Sequence, residues 1–275
     1  MKSDFVQAII WCLVFILFIL IVVRIYLVGR LSRKKEYFYG HSMNIGTRDV
    51  QEDCLSVKEN RDGVMAILAD GMGKAYGGSI SSTIAVETAL GLLEKENAFM
   101  NPQYFFQNVF RSANRRILDQ LDEGSGAASV SIALIHHMNL YYAAVGNVQI
   151  AVFRRGELIP VTEGHTVDIL ARRKYLQGSI TKQKTISLLR EHRLYNYIGQ
   201  DEFREIELFD APIKLRNGDF IILMSDGIYE TLPFAKIEEV LRSGNDCMQK
   251  ANRITTLVEA TPGDKNNGSI VLVAV

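Results

Sequence analysis

Three short acidic clusters sit where the chain would enter or leave a strand: Glu52-Asp53, Asp70-Gly71 and Asp226-Gly227. Asp70 closes the apolar run 64–69, and Asp226 follows the run 220–224 after one serine. A carboxylate at the end of a buried strand is strongly destabilising unless it is solvated, paired or bound to a cation. The sequence offers no obvious basic partner for these three, so their convergence would suit hard divalent cations, which take oxygen ligands. Arg48 lies four residues before Glu52, and a guanidinium is a planar fork for phosphate oxygens. The chemistry indicated is metal-assisted hydrolysis.

The elements that must position these groups follow from periodicity. Strand-like runs are expected at 54–58 and 64–69, followed by helices at 79–93 and 102–121, the second with Asn101 as cap and Pro102 in its first turn. Val130, Ile132 and Leu134 alternate with Ser129, Ser131 and Ala133, giving one bulky and one small face of a strand. Turns at 137–139, 146–147 and 155–156 separate further strands at 140–145, 148–154 and 157–161. Residues 167–190 read as helical, interrupted by Gly178. Strands at 205–209, 220–224 and 269–275 and helices at 234–241 and 246–258 complete the chain. Blocks of strands alternate with blocks of helices, which favours α+β with antiparallel sheets over a doubly wound parallel fold.

The 275 residues carry no formal net charge, and no basic stripe marks the globular part, which argues against nucleic acid as a partner. Cys12, Cys54 and Cys247 give neither a disulfide framework nor a zinc pattern. Cys247 and Arg253 match the Cys-x5-Arg spacing of cysteine-dependent phosphatases, but Met248, Ala251, Ile254 and Val258 fall at helical spacing, so a core-packed helix is expected. His136, His137 and His192 form no ligand pattern. Residues 5–23 are apolar except Gln7. As a helix they would span about 28 Å, close to the hydrocarbon core of a bilayer. Arg30, Arg33, Lys34 and Lys35 follow, against Lys2 alone ahead of the run. The expected organisation is therefore a transmembrane anchor at 1–28, a juxtamembrane linker at 29–41 and a domain at 42–275 facing the cytoplasm from the cell membrane.

In order and context the three clusters resemble those of the metal-dependent protein phosphatases, the PPM-type or type 2C serine/threonine phosphatases. The likeness continues through Ala128-Ser129, Gly146-Asn147, the turn Thr162–Thr166, the flap around Gly178–Thr181 with His192–Asn196, and the closing Asn266-Asn267-Gly-Ser269. Met72 favours the bacterial branch. The resemblance implies an αββα sandwich, two stacked antiparallel sheets flanked by helices. It implies that Glu52, Asp70, the Gly71 carbonyl and Asp226 hold two Mn²⁺ or Mg²⁺ ions, with Asp53 orienting them and Arg48 clamping the phosphoryl group. A metal-bridging water would then attack phosphorus in line. The partners implied are phosphorylated proteins, among them a membrane-bound serine/threonine kinase.

The sequence departs from the family pattern at several positions. Asn266 stands where the family has its last aspartate ligand, Asn147 replaces the aspartate of a third metal position, Gly164 replaces another aspartate, and Lys74 interrupts the glycine run. Asp264, two residues before Asn266, would need a local rearrangement to substitute for it. The competing expectation is a catalytically impaired module that binds phosphoproteins at the membrane.

Overall fold

The computed structural model describes residues 11–24, 37–122, 124–190, 193–201, 203 and 205–275. The chain divides between Glu36 and Tyr37 into two units. In the first, residues 11–24 form helix α1 with exposed apolar side chains. Among the described residues no helix is long and apolar enough to cross a membrane. This overturns the expected single-pass anchor and the membrane placement drawn from it. Residues 5–10 of the expected span, and the flanking Lys2, Arg30, Arg33, Lys34 and Lys35, lie outside the described residues.

The second unit is built on strands buried on both faces. In β3 (Val64–Gly73) the side chains of Val64, Ala66 and Leu68 point into one core, and those of Met65, Ile67 and Ala69 into another. That is the period-two geometry of a strand between two layers. β3 anchors a six-stranded antiparallel sheet with β2 (Cys54–Glu59), β4 (Gly126–His136), β5 (Asn139–Val145), β8 (Glu207–Leu208) and β9 (Ile213–Lys214). The second sheet has the order β1-β11-β10-β6-β7, from β1 (Phe38–Asn44), β6 (Gln149–Arg154), β7 (Glu157–Pro160), β10 (Phe220–Met224) and β11 (Gly268–Ala274). Val64, Leu68, Ile150, Leu223 and Val271 meet between the sheets.

Helices cover the outer faces. α2 (Gly77–Lys95) and α3 (Pro102–Gln120) bury Ile84, Phe106, Phe110 and Ile117 against Met65, Ile67 and Ile132. The Asn101 side chain accepts the Tyr104 N–H, so the expected cap forms. On the other side α7 (Phe234–Leu241) and α8 (Cys247–Ala260) pack Ile237, Ala251 and Ile254 on Ile222, Ile270 and Leu272. Cys247 is buried at the start of α8, as a core position. Each fully buried Ile, Leu or Phe contributes roughly 1.5–3 kcal/mol, which lets the fold tolerate a repulsive acidic cluster at one end. The helical stretch after residue 167 is two helices, α4 (Val167–Leu176) and α5 (Lys182–Leu188), broken at Gly178 with φ +72°. The short α6 (Asp226–Tyr229) follows β10.

Besides β9 and α6, which the sequence reading does not contain, two elements differ from their expected bounds in ways that shape the site. β1 opens inside the segment read as a linker, pairing Phe38–Asn44 with Ala274–Gly268. β3 runs past Asp70 to Gly73, because Asp70, Gly71, Met72 and Gly73 keep register with Ser129, Ala128, Ala127 and Gly126 of β4.

Candidate active site

Asp70 lies on β3 of one sheet, Asp226 opens α6 just beyond β10 of the other, and Glu52 comes from the segment just before β2. With Arg48, Gly71, Asn147 and Asn266 they line one cleft of 320 Å³. Asp53 is buried directly beneath, with Oδ2 accepting the Ser225 hydroxyl at 3.0 Å. Asp264, the alternative to Asn266, is exposed and does not line the cleft.

The loop carrying Arg48 and Glu52 is held from β11's end by Asn267. Its amide donates to the carbonyls of Ile45 at 2.8 Å and Val50 at 3.1 Å, while its oxygen accepts the Glu52 N–H at 2.8 Å. The Glu52 carbonyl in turn accepts the Gly71 N–H at 3.2 Å and the Ser82 hydroxyl. These contacts require glycine. A Cβ on Gly71 would fall 2.2 Å from the Gly78 carbonyl oxygen, and one on Gly78 would fall 2.3 Å from Glu52 Oε1. His165 is buried and fixes the Gly146-Asn147 turn, accepting the Gly146 N–H at Nδ1 (3.0 Å) and donating its own backbone N–H to the Gly146 carbonyl (2.8 Å). Burial pushes its pKa down, so the imidazole accepts as the neutral form.

The electrostatics follow from burial and crowding, offset only in part by Arg48 beside Glu52 and Asp226. Burial, reinforced by the charges of Asp53, Asp226 and Glu52, pushes the Asp70 carboxyl well above the usual range. Burial likewise raises Asp53 to about 7, against the pull of the Ser269 and Ser225 hydroxyls. Asp226 is also raised by burial, opposed by two amides. Asn266 Nδ2 donates to its Oδ1 at 2.8 Å, and Asn147 Nδ2 to its Oδ2 at 3.1 Å. Asn147 is itself held by the Ser129 hydroxyl at 2.8 Å and by Tyr229, whose hydroxyl donates to its carbonyl at 2.9 Å.

The ligand atoms facing the cleft are oxygens, and the carboxylates repel one another. That set fits hard divalent cations. Among the described residues no three Asp, Glu, His or Cys side chains gather around a single point, so any ion here must also draw on carbonyl, amide or water oxygens.

Residues 42–260 match the family profile described as Protein phosphatase 2C. The chain belongs to the protein phosphatase 2C family. It is a protein serine/threonine phosphatase of that type, a metal-dependent class acting on phosphorylated proteins. The chain is 24% identical over 227 residues to the serine/threonine phosphatase stp of Listeria innocua, covering 80% of this chain and 88% of that relative. The fold superposes on the Streptococcus agalactiae serine/threonine phosphatase with TM-score 0.74 and 26% identity, over 87% of this chain and all (100%) of that one. It also matches the catalytic domain of the phosphatase PstP in complex with two manganese ions, at TM-score 0.66 and 21% identity, over 86% and 97% of the two chains.

Arg48, Glu52, Asp70, Gly71, Asn147, Asp226 and Asn266, singled out from sequence, therefore share one cleft, with Asp53 behind it. The supporting Asn267, Ser225, Ser129 and Tyr229 were not singled out as site residues. Asn267 and Ser225 had one available signal, adjacency to Asn266 and Asp226. His192 of the expected flap lies outside the described residues.

Proposed function

We propose that the domain hydrolyses phosphoserine and phosphothreonine esters on proteins with two divalent cations, Mn²⁺ or Mg²⁺. The observation that carries this reading is the convergence of Glu52, Asp70, Gly71 and Asp226 with Arg48 on one oxygen-lined cleft. Glu52, Asp70 and the Gly71 carbonyl would serve one ion, and Asp70, Asp226 and the Asn266 amide oxygen the other. This division gives neither ion three carboxylates, in keeping with the absence of any three-acid cluster among the described residues. When bound, the ions supply charge neutralisation at the phosphoryl group and the acidified water that attacks it.

The chain's own residues do the rest. Arg48, exposed at the cleft mouth, offers its guanidinium fork to the phosphoryl oxygens and orients the ester. Asp53, fixed by Ser225, sets the position of the carboxylates above it. Asn147 and Asn266 hold both oxygens of Asp226 in one orientation. The retained carboxylates favour hydrolysis over the non-catalytic binding module. A serine/threonine kinase is the reaction class that supplies such substrates.

Phosphate release from a phosphothreonine peptide by the full chain tests the reading. Release should require Mn²⁺ or Mg²⁺, stop with chelator, and fall by on the order of a hundredfold or more in Asp70→Asn, the range for removing one essential stabilising group. Ion binding without turnover in either metal would reject hydrolysis in favour of the binding module.

A further inference from the structure

Resting on the phosphatase reading, a second concavity gains a meaning. An open trough of 430 Å³ continues from the catalytic cleft, and Met72, Gly73 and Leu194 line both. We propose that this trough receives the polypeptide flanking the phosphorylated residue of a protein substrate, with Tyr197 as a specificity-determining contact for an apolar or aromatic neighbour.

Three features argue for a peptide here. The floor is the paired end of β3 and β4, where Gly73 opposes Gly126 beside Ala127, so almost no side chain keeps an incoming backbone away. The far wall is preformed. Buried Asn114 of α3 accepts the N–H groups of Gly199 at 2.6 Å and Gln200 at 3.2 Å and donates to the Gln200 carbonyl at 3.1 Å. Ala128 and Ile198 exchange both backbone hydrogen bonds at 3.0 Å, and Gln200 Nε2 donates to Asn196 Oδ1 at 3.0 Å. A wall already ordered needs little ordering on binding. The chemistry also changes along the path. The catalytic cleft gathers Glu52, Asp70, Asp226 and Arg48, whereas the trough has none of these and adds half-buried Tyr197 to the Met72 and Leu194 shared by both, with Arg193 and Asp201 as its charged groups. A phosphoryl group belongs at the first and an apolar flank at the second; tyrosine supplies large contact area with few torsions to fix.

Steady-state kinetics of the full chain with Mn²⁺ on two substrates test this. p-Nitrophenyl phosphate reaches the catalytic cleft alone, while a phosphothreonine nonapeptide with apolar residues on both sides extends beyond it. For Tyr197→Ala, KM for the peptide should rise about tenfold, the size of one lost aromatic contact. Its kcat for the peptide, and both constants for p-nitrophenyl phosphate, should stay within about twofold, and Tyr197→Phe should restore the peptide KM. Equal losses on both substrates, or no change on either, overturn the proposal. With the wild-type chain, trimming the peptide from each end in turn should raise KM from one side only; indifference to both trims overturns it independently of any variant. Wild-type inactivity on both substrates would instead reject the phosphatase reading on which the trough depends.

Discussion

At Asp226 two amides occupy positions where the family resemblance implies acids. Asn147 and Asn266 lie 79 and 40 residues from Asp226 in the chain, and each donates to a different oxygen of its carboxylate. Without a metal this arrangement is favourable, because donors to the charged form offset its burial. With a metal it removes negative charge from the shell, and fewer charged ligands weaken cation binding. Asn266→Asp should therefore tighten Mn²⁺ binding by on the order of tenfold, while lowering the melting temperature of the metal-free chain through the new like charge beside Asp226. Isothermal titration and metal-free melts read the two effects separately; unchanged affinity would show that residue 266 does not contact an ion. The residue types of this site were legible in the sequence, since carboxylates ending apolar runs stand out on desolvation grounds alone. The amide clamp was not, because it exists only once the ends of β10, β5 and β11 meet.

Among the elements, the site depends on three chain ends brought into contact: the segment before β2, the end of β3 and the start of α2. Gly71 and Gly78 permit that approach. Gly78→Ala would press a methyl group on the Glu52 carboxylate and the Met72 N–H. Such overpacking destabilises by about 1–3 kcal/mol, and here it also displaces a proposed ligand. The expected outcome is a lower melting temperature together with weaker Mn²⁺ binding by titration; a loss of stability with metal affinity intact would separate Glu52 from the ions. Strong apolar periodicity made β10 and α7 readable to the residue. β1 was hidden because Phe38–Asn44 places a glycine and polar residues among few apolar ones, and only its pairing with β11 makes it a strand. The extension of β3 through Gly71-Met72-Gly73 is not legible in the sequence, since glycine usually ends a strand and here the β4 ladder overrides that preference.

For the molecule as a whole, the alternation of strand and helix blocks gave the α+β class, and the family resemblance gave the sandwich. The anchor expected from the N-terminal apolar run is not borne out: among the described residues no helix is long and apolar enough to cross a membrane. The same sandwich couples stability to pH. Asp53 titrates near 7 and Asp70 is raised as well, both mainly by burial, from an ordinary value of 3.8. A carboxyl raised in the folded state favours folding while protonated. That contribution is complete below about pH 4 and is lost as pH rises through about 7. Cations that bind the ionised site stabilise the folded state and displace these protons. The gain in melting temperature on saturation with Mn²⁺ should therefore be larger at pH 8 than at pH 5.5; a gain independent of pH would place the ions away from Asp53 and Asp70.

Diffraction from crystals grown with Mn²⁺, recorded at the manganese absorption edge, reads the ligand assignment itself. Two anomalous peaks are expected in the cleft bounded by Glu52, Asp70, the Gly71 carbonyl and Asp226. A cleft without peaks, or manganese bound only elsewhere, would contradict it.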